Sequence, residues 1–221
     1  MSAAGSRVRL LPRELLVKTN PLDQGDWAYR GVLGRVERMR FGAIASLLRI
    51  RPRARRLLEI GYGSGILLPE LARHCEQLHG VDVHDEAAAV TRQLRTIDVE
   101  VRLVTGDACA LPYADATFDA VVVVSAFEFV PDVAVAAREA VRVLTPHGVA
   151  LVVTPGTSPV LDLGLKVLTG ERGEDTFEGR RAQVVPALEA AGDIVEERRL
   201  PFAIGRVLPV YRALAVRRRD A

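Results

Sequence analysis

The feature that most constrains this chain is an apolar run that ends abruptly in glycines: Leu58-Glu59-Ile60-Gly61-Tyr62-Gly63-Ser64-Gly65. Glycines at the end of a strand let the backbone turn tightly, and their missing side chains let a ligand approach main-chain atoms closely. Beyond them, Leu67, Leu68, Leu71 and Cys75 recur at helical spacing, so residues 66–75 read as a helix. Pro69 falls in its first turn, where a missing N–H is tolerated. The N-terminus of such a helix offers unpaired N–H groups. Asp82 ends the next apolar run, twenty-one residues after Gly61. That is where a βαβ unit delivers a carboxylate to the hydroxyls of a bound ribose. A strand-end acid also serves as a helix cap or a solvated group; the glycines beside it favour the ribose role.

The rest of the chain repeats the alternation of apolar runs and helical patterns that marks a parallel sheet with crossover helices. Strands are expected at 56–61, 78–82, 101–105, 118–124 and 149–154, and helices at 86–97 and 133–144, the latter stopped before Pro146. The run FDAVVVV at 118–124 ends in consecutive β-branched residues, as in a strand buried on both faces. Two final strands, 194–201 and 210–216, follow a helix ending near Gly192. The gap at 202–209 is too short for a helical crossover, so this pair should be antiparallel. Before the first strand, residues 27–48 form an amphipathic pattern with Leu33, Val36, Ile44 and Leu47 on one side and Gly31, Gly34 and Gly42 as weak points. No repeat or long linker interrupts the chain. One domain over residues 1–221 is expected: a helical extension at 1–50, a cofactor-binding core at 56–155 and a C-terminal part at 156–221.

Composition matters mainly for what it excludes. With 221 residues, 49% of them hydrophobic, the chain can bury a core without disulfide or metal staples. No secretory leader is expected, because residues 1–20 hold four cationic residues but no long apolar core, and no apolar run approaches the roughly 20 residues of a membrane span. With two cysteines, a cytoplasmic location is the expectation. Eight arginines crowd residues 35–56 against the single acid Glu37, yet no nucleic-acid motif accompanies them, so a nucleic-acid partner is not expected. His74, Cys75, His79 and His84 lack the paired spacing of zinc ligands, and no metal is expected.

The nicotinamide form of the glycine motif needs a third glycine where this chain has Ile66. A bulky side chain there disfavours a pyrophosphate on the helix and suits an adenosine without a diphosphate. At this point the sequence resembles the class I S-adenosylmethionine-dependent methyltransferases, in particular small bacterial ones of the "methyltransferase type 11" kind. LEIGYGSG at 58–65 is similar to the family's first motif and GVD at 80–82 to its second. Gly106-Asp107-Ala108 with Leu111-Pro112, Thr117-Phe118-Asp119, Arg138-Glu139 and Arg142-Val143-Leu144 resemble its later motifs in the same order. Pro146-His147-Gly148 departs from the usual Pro-Gly-Gly, so the turn before the fifth strand is expected to differ in shape.

The resemblance implies an α/β, doubly wound, seven-stranded, mostly parallel sheet in the order 3-2-1-4-5-7-6, with strand 7 antiparallel and helices on both faces. It implies that Gly61, Gly63 and Gly65 pass under the methionine and ribose of S-adenosylmethionine, and that Asp82 takes the ribose hydroxyls with Val83 near the adenine. Asp107 and the Ala108 N–H would meet the adenine edge. The Ser125 carbonyl would face the methionine amino group, with Glu59 orienting that end indirectly. A sulfonium methyl is already activated, so alignment supplies most of the rate and a base is needed only if the acceptor must lose a proton. Glu128, just past strand four, is the candidate base, its alternative being a solvent-facing carboxylate on a short helix.

Two segments are candidates for the acceptor side. Tyr29 or Arg30 would meet the methionine carboxylate, while Trp27 anchors the helix on the core. The apolar residues 158–170 either cover the acceptor or form an ordinary crossover helix. The expected function is methyl transfer to a small, apolar or aromatic acceptor. The alternatives are a nicotinamide-dependent oxidoreductase or a non-catalytic partner subunit of the same fold.

Overall fold

The computed structural model describes residues 8–19, 25–29, 31–156, 179–201 and 210–219. Among these, a seven-stranded sheet is formed by β1 (Ala54–Ile60), β2 (Cys75–Asp82), β3 (Arg102–Thr105), β4 (Phe118–Val124), β5 (Leu144–Pro155), β6 (Asp193–Leu200) and β7 (Tyr211–Arg217). Its order is β3-β2-β1-β4-β5-β7-β6. The first five strands run parallel to one another, while β7 runs antiparallel to both β5 and β6. This is the doubly wound sheet that the motifs imply, and the short final connection gives the antiparallel pair expected of it.

Alternation along the strands sorts the helices onto two faces. On one face Leu57, Leu78, Val122, Leu151 and Ala213 pack with α1 (Gly31–Arg49), α2 (Leu68–Leu71) and α3 (Ala87–Arg95). On the other, Leu58, Val121, Val123, Val152 and Leu214 pack with α4 (Val133–Arg142) and α5 (Arg180–Ala191). Val121, Val122 and Val123 are wholly buried. Each such side chain contributes about 1.5–3 kcal/mol on burial, which holds the middle of the sheet still while its ends carry loops.

Several boundaries differ from the sequence reading for identifiable reasons. The helix expected at 66–75 shrinks to α2 followed by a 3-10 turn at Ala72–His74. The ladder takes the residues it would have used, pairing Cys75 with Ala54 and Gln77 with Arg56. Arg53 secures that entry by donating from Nε and Nη2 to the Cys75 carbonyl, at 3.1 and 2.7 Å. A four-residue helix whose Leu68 N–H already donates to the Gly65 carbonyl is no anion-binding terminus. At the other end, α4 stops at Arg142 because Leu144 pairs with Phe118. The turn at Pro146-His147-Gly148 becomes an irregularity within the β4–β5 ladder, which resumes with Val149 opposite Ala120. The amphipathic pattern at 27–48 divides into a 3-10 turn, Gly25–Tyr29, and α1. Arg30, the Trp27 side chain and the apolar segment 158–170 lie outside the described residues. No helix among the described residues is long and apolar enough to cross a membrane.

Candidate active site

The carboxyl ends of β1, β2, β3 and β4 converge on the glycine loop. Gly61 and Gly65 have positive φ of 76° and 77°, which L side chains rarely adopt. Neither position has room for a side chain: a Cβ on Gly61 would lie 2.4 Å from that of Ala126, and one on Gly65 would lie 2.8 Å from Val90 Cγ1. The loop is thereby pressed against the β4 end on one side and α3 on the other. Gly63 differs, because a Cβ there would meet nothing within 4 Å. The space beside its Cα, where a side chain would stand, is open.

Asp82 ties that loop to β2. Its Oδ2 accepts from the Gly63 N–H and its Oδ1 from the Val83 N–H, both at 2.8 Å. The next strand is tied in by the Gly106 N–H, which donates to the Asp82 carbonyl. Asp107 and Ala108 follow directly, with Asp107 Oδ1 accepting from the Cys109 N–H at 2.8 Å. Val83, by contrast, leaves an apolar side chain 73% exposed beside the aspartate. A planar, apolar group could pack on it without displacing any protein atom.

His84 is a residue that sequence reasoning set aside among the histidines. It is buried, its Nε2 lies 3.1 Å from the Gly63 carbonyl, and its Nδ1 accepts from the Glu86 N–H at 3.1 Å. Acceptance at Nδ1 assigns the proton to Nε2, which then donates to Gly63. The ring also meets Tyr62 edge-on, with centroids 4.9 Å apart. Gly63 is thus held through its N–H by Asp82 and through its carbonyl by His84. The signal was its place two residues after the motif aspartate.

Ser125 and Glu128 lie past β4. Ser125 has φ of 51°, and its N–H donates to the Val153 carbonyl. Glu128 stands on a 3-10 turn, Phe127–Phe129, and is buried, not the solvent-facing carboxylate of the alternative reading. Neither of its carboxylate oxygens has a hydrogen-bond partner among the described residues. Burial pushes its pKa up to about 7, against the pull of its own backbone N–H and the Arg40 and Arg181 guanidiniums. Glu59, also buried, is held well above the usual carboxylate range by burial and then by the Asp82 charge, and its Oε2 is unpartnered too.

The polar residues behind Glu128 escaped the sequence reading. Arg40 on α1 pairs with Glu37 at 2.6 Å, and Glu37 Oε1 accepts from the Tyr211 hydroxyl at 3.0 Å. Arg181 on α5 donates to the Gly156 carbonyl, and Arg180 Nε donates to the Glu128 carbonyl at 3.2 Å. A signal did exist: Arg40 interrupts the stripe running through Val36, Ile44 and Leu47, where a cation has no business unless it is paired. The candidates on the N-terminal side fare differently, because the Tyr29 hydroxyl donates to the Leu11 carbonyl and so ties the 3-10 turn to the segment before it.

This arrangement can be compared with known proteins. Residues 58–152 match a family described as a methyltransferase domain. A protein-L-isoaspartate O-methyltransferase of Paracoccus denitrificans is 31% identical over 155 residues, an overlap of 68% of this chain and 67% of that protein. The chain belongs to the class I S-adenosylmethionine-dependent methyltransferases. A ubiquinone biosynthesis O-methyltransferase of Alkalilimnicola ehrlichii is 32% identical over 108 residues, 48% of this chain and 43% of that one. In general the chain spans about half the length of the curated relatives it matches. The N-methyltransferase NodS of Bradyrhizobium japonicum shares the fold, with a TM-score of 0.61 at 21% identity over 84% of this chain and 98% of that one. S-adenosylmethionine is the methyl donor of this family. The residues at the loop suit it: open space over Gly63, a carboxylate with lone pairs to spare at Asp82, and an uncovered apolar side chain at Val83.

Proposed function

We propose that this protein transfers a methyl group from S-adenosylmethionine to a small, apolar or aromatic acceptor. The observation that carries the reading is Gly63, fixed through its N–H by Asp82 and through its carbonyl by His84 while the space beside its Cα is open. Asp82 Oδ1 and Oδ2 each accept one backbone N–H and keep further lone pairs for a vicinal diol. In this reading Gly61, Gly63 and Gly65 run beneath the methionine and ribose. Val83 covers one side of the adenine, and Asp107 with the Ala108 N–H meets its edge. The Ser125 carbonyl and, indirectly, Glu59 hold the amino-acid end.

The bound donor supplies a methyl on a positive sulfur, an electrophile that needs no further activation. What the chain adds is position, and alignment of this kind accounts for several kcal/mol of a barrier. Burial of Glu128 and Phe127 past β4 removes water from the floor of the same end of the sheet. In this reading Glu128 takes a proton from the acceptor, and a pKa near neutrality suits that role.

Isothermal titration with S-adenosylhomocysteine and with NAD tests the reading. Binding of the thioether alone is expected. Binding of NAD alone, or of neither, contradicts it.

A further inference from the structure

Glu70 is a buried carboxylate that the chemistry at the strand ends does not use. It stands on α2 among Leu68, Pro69 and Leu71, all buried with it. Groups from separate parts of the chain meet its oxygens. The Arg9 N–H donates to Oε2 at 2.9 Å, Arg73 Nη1 donates to the same oxygen at 3.2 Å, and His74 Nε2 lies 3.2 Å from Oε1. Arg49 Nη1, at the end of α1, is 3.7 Å away. Two residues on from Arg9, the wholly buried Leu11 donates its N–H to the Ile66 carbonyl at 2.9 Å, and its own carbonyl accepts from the Tyr29 hydroxyl. Residues 9–11 therefore run in the opposite sense alongside residues 66–70, stapled at Arg9 to Glu70 and at Leu11 to Ile66. Ile66 directly follows Gly65, the last glycine of the loop.

A buried ion cluster seldom adds more stability than apolar residues of the same volume would, and leucine would suit the apolar neighbours of Glu70. What leucine cannot do is hold a backbone N–H at one height. We infer that Glu70 is a positioning residue for the methyl donor: by holding the Arg9 N–H it sets residues 9–11 in register with 66–70, so that the Leu11 N–H fixes the Ile66 carbonyl and the far end of the glycine loop. The inference rests on the reading that this loop carries the donor. The loop then has two anchors. Asp82 and His84 hold Gly63 from the β2 side, and the N-terminal segment holds Ile66. Between them the bonds that shape the turn are internal: the Gly65 N–H donates to the Tyr62 carbonyl and the Leu68 N–H to the Gly65 carbonyl. Releasing the second anchor leaves the turn able to form but free to shift relative to Asp82. A ligand that must meet Asp82 and the loop together then loses affinity to the ordering of that loop.

The test is calorimetry of S-adenosylhomocysteine with the full chain and its variants. A wild type that does not bind the thioether defeats the methyltransferase reading itself. With binding present, Glu70→Ala and Arg9→Pro remove the same hydrogen bond from its two ends, the second at an exposed residue outside the core. Each should raise Kd by about ten-fold or more. The double variant should be within about two-fold of the weaker single one, because both changes break one staple. Glu70→Gln keeps an acceptor oxygen for the Arg9 N–H, and Arg9→Ala keeps the N–H itself, so both should stay within about three-fold of wild type. Unchanged affinity in Arg9→Pro, losses that add in the double variant, or an Arg9→Ala as weak as Arg9→Pro would overturn the inference. Should Glu70→Ala fail to fold, the contrast between Arg9→Pro and Arg9→Ala decides alone. Hydrogen exchange of the unliganded proteins separates positioning from general loosening. In Arg9→Pro the amides of residues 61–68 should exchange about ten-fold faster, while those of β4 keep their wild-type rates. Equal acceleration in β4, or none in the loop, contradicts the positioning role.

Discussion

Single residues at the loop have separable jobs. Asp82 is half structural, through the Gly63 and Val83 N–H groups, and half free to bind. Asp82→Ala should therefore weaken S-adenosylhomocysteine by about 1.5–3 kcal/mol, the range for hydrogen bonds to a charged group, as read by calorimetry. Unchanged affinity in a folded variant would take Asp82 out of the site. Glu128 makes the opposite trade. Its folded pKa lies near 7, above the ordinary 4.5, so the native state holds its proton to higher pH than the unfolded chain does. Stability from this group is full below about 4.5, declines as pH rises toward about 7 and stays low above it. Glu128→Gln should remove that decline, gaining up to about 3 kcal/mol relative to wild type between pH 4 and pH 8 in urea denaturation. The same slope in both proteins would contradict the buried carboxyl.

The elements were legible to different depths, and the differences are physical. The apolar runs of β1, β4 and β5 announced themselves because the residues toward their carboxyl ends are buried on both faces, and in β4 four valines follow one another. The segment after Gly65 misled because leucines at helical spacing also suit a short turn whose next residues are drawn into β2. The helix α4 carries a role its motif did not explain. Glu139 accepts from Arg142 Nε at 2.6 Å and from the Leu111 N–H at 2.8 Å, while Arg142 also reaches the Tyr113 carbonyl and Asp115. This clamp holds the loop that presents Asp107 and Ala108. Its hydrogen bond from Arg142 keeps Glu139 below the usual carboxylate range, so its contribution is complete above that range and is lost as pH falls through the folded value. Glu139→Gln should cost about 1 kcal/mol at pH 7, less than a buried charged bond because the pair is part-exposed. Chemical denaturation should show the gap closing in acid. A gap independent of pH would contradict the clamp.

At the scale of the molecule, the sheet supplies rigidity and its carboxyl edge supplies chemistry. Glycines and Asp82 were visible in the sequence because their spacing is local. Arg40, Tyr211 and Arg181 were not, because α1, β7 and α5, far apart in the sequence, are brought to the same end of the sheet only once its strands are ordered. A ligand seated across four strand ends binds the native state alone, so S-adenosylhomocysteine at 100 times its Kd should stabilise the fold by about 2.7 kcal/mol. A thermal scan should register the rise in Tm, and NAD at the same concentration should give none. The most direct measurement is a crystal structure with S-adenosylhomocysteine bound. The account predicts both ribose hydroxyls within about 3 Å of the Asp82 carboxylate, the ribose over Gly63 and the adenine against Val83. A ribose held elsewhere, with Asp82 bonded only to Gly63 and Val83, would contradict it.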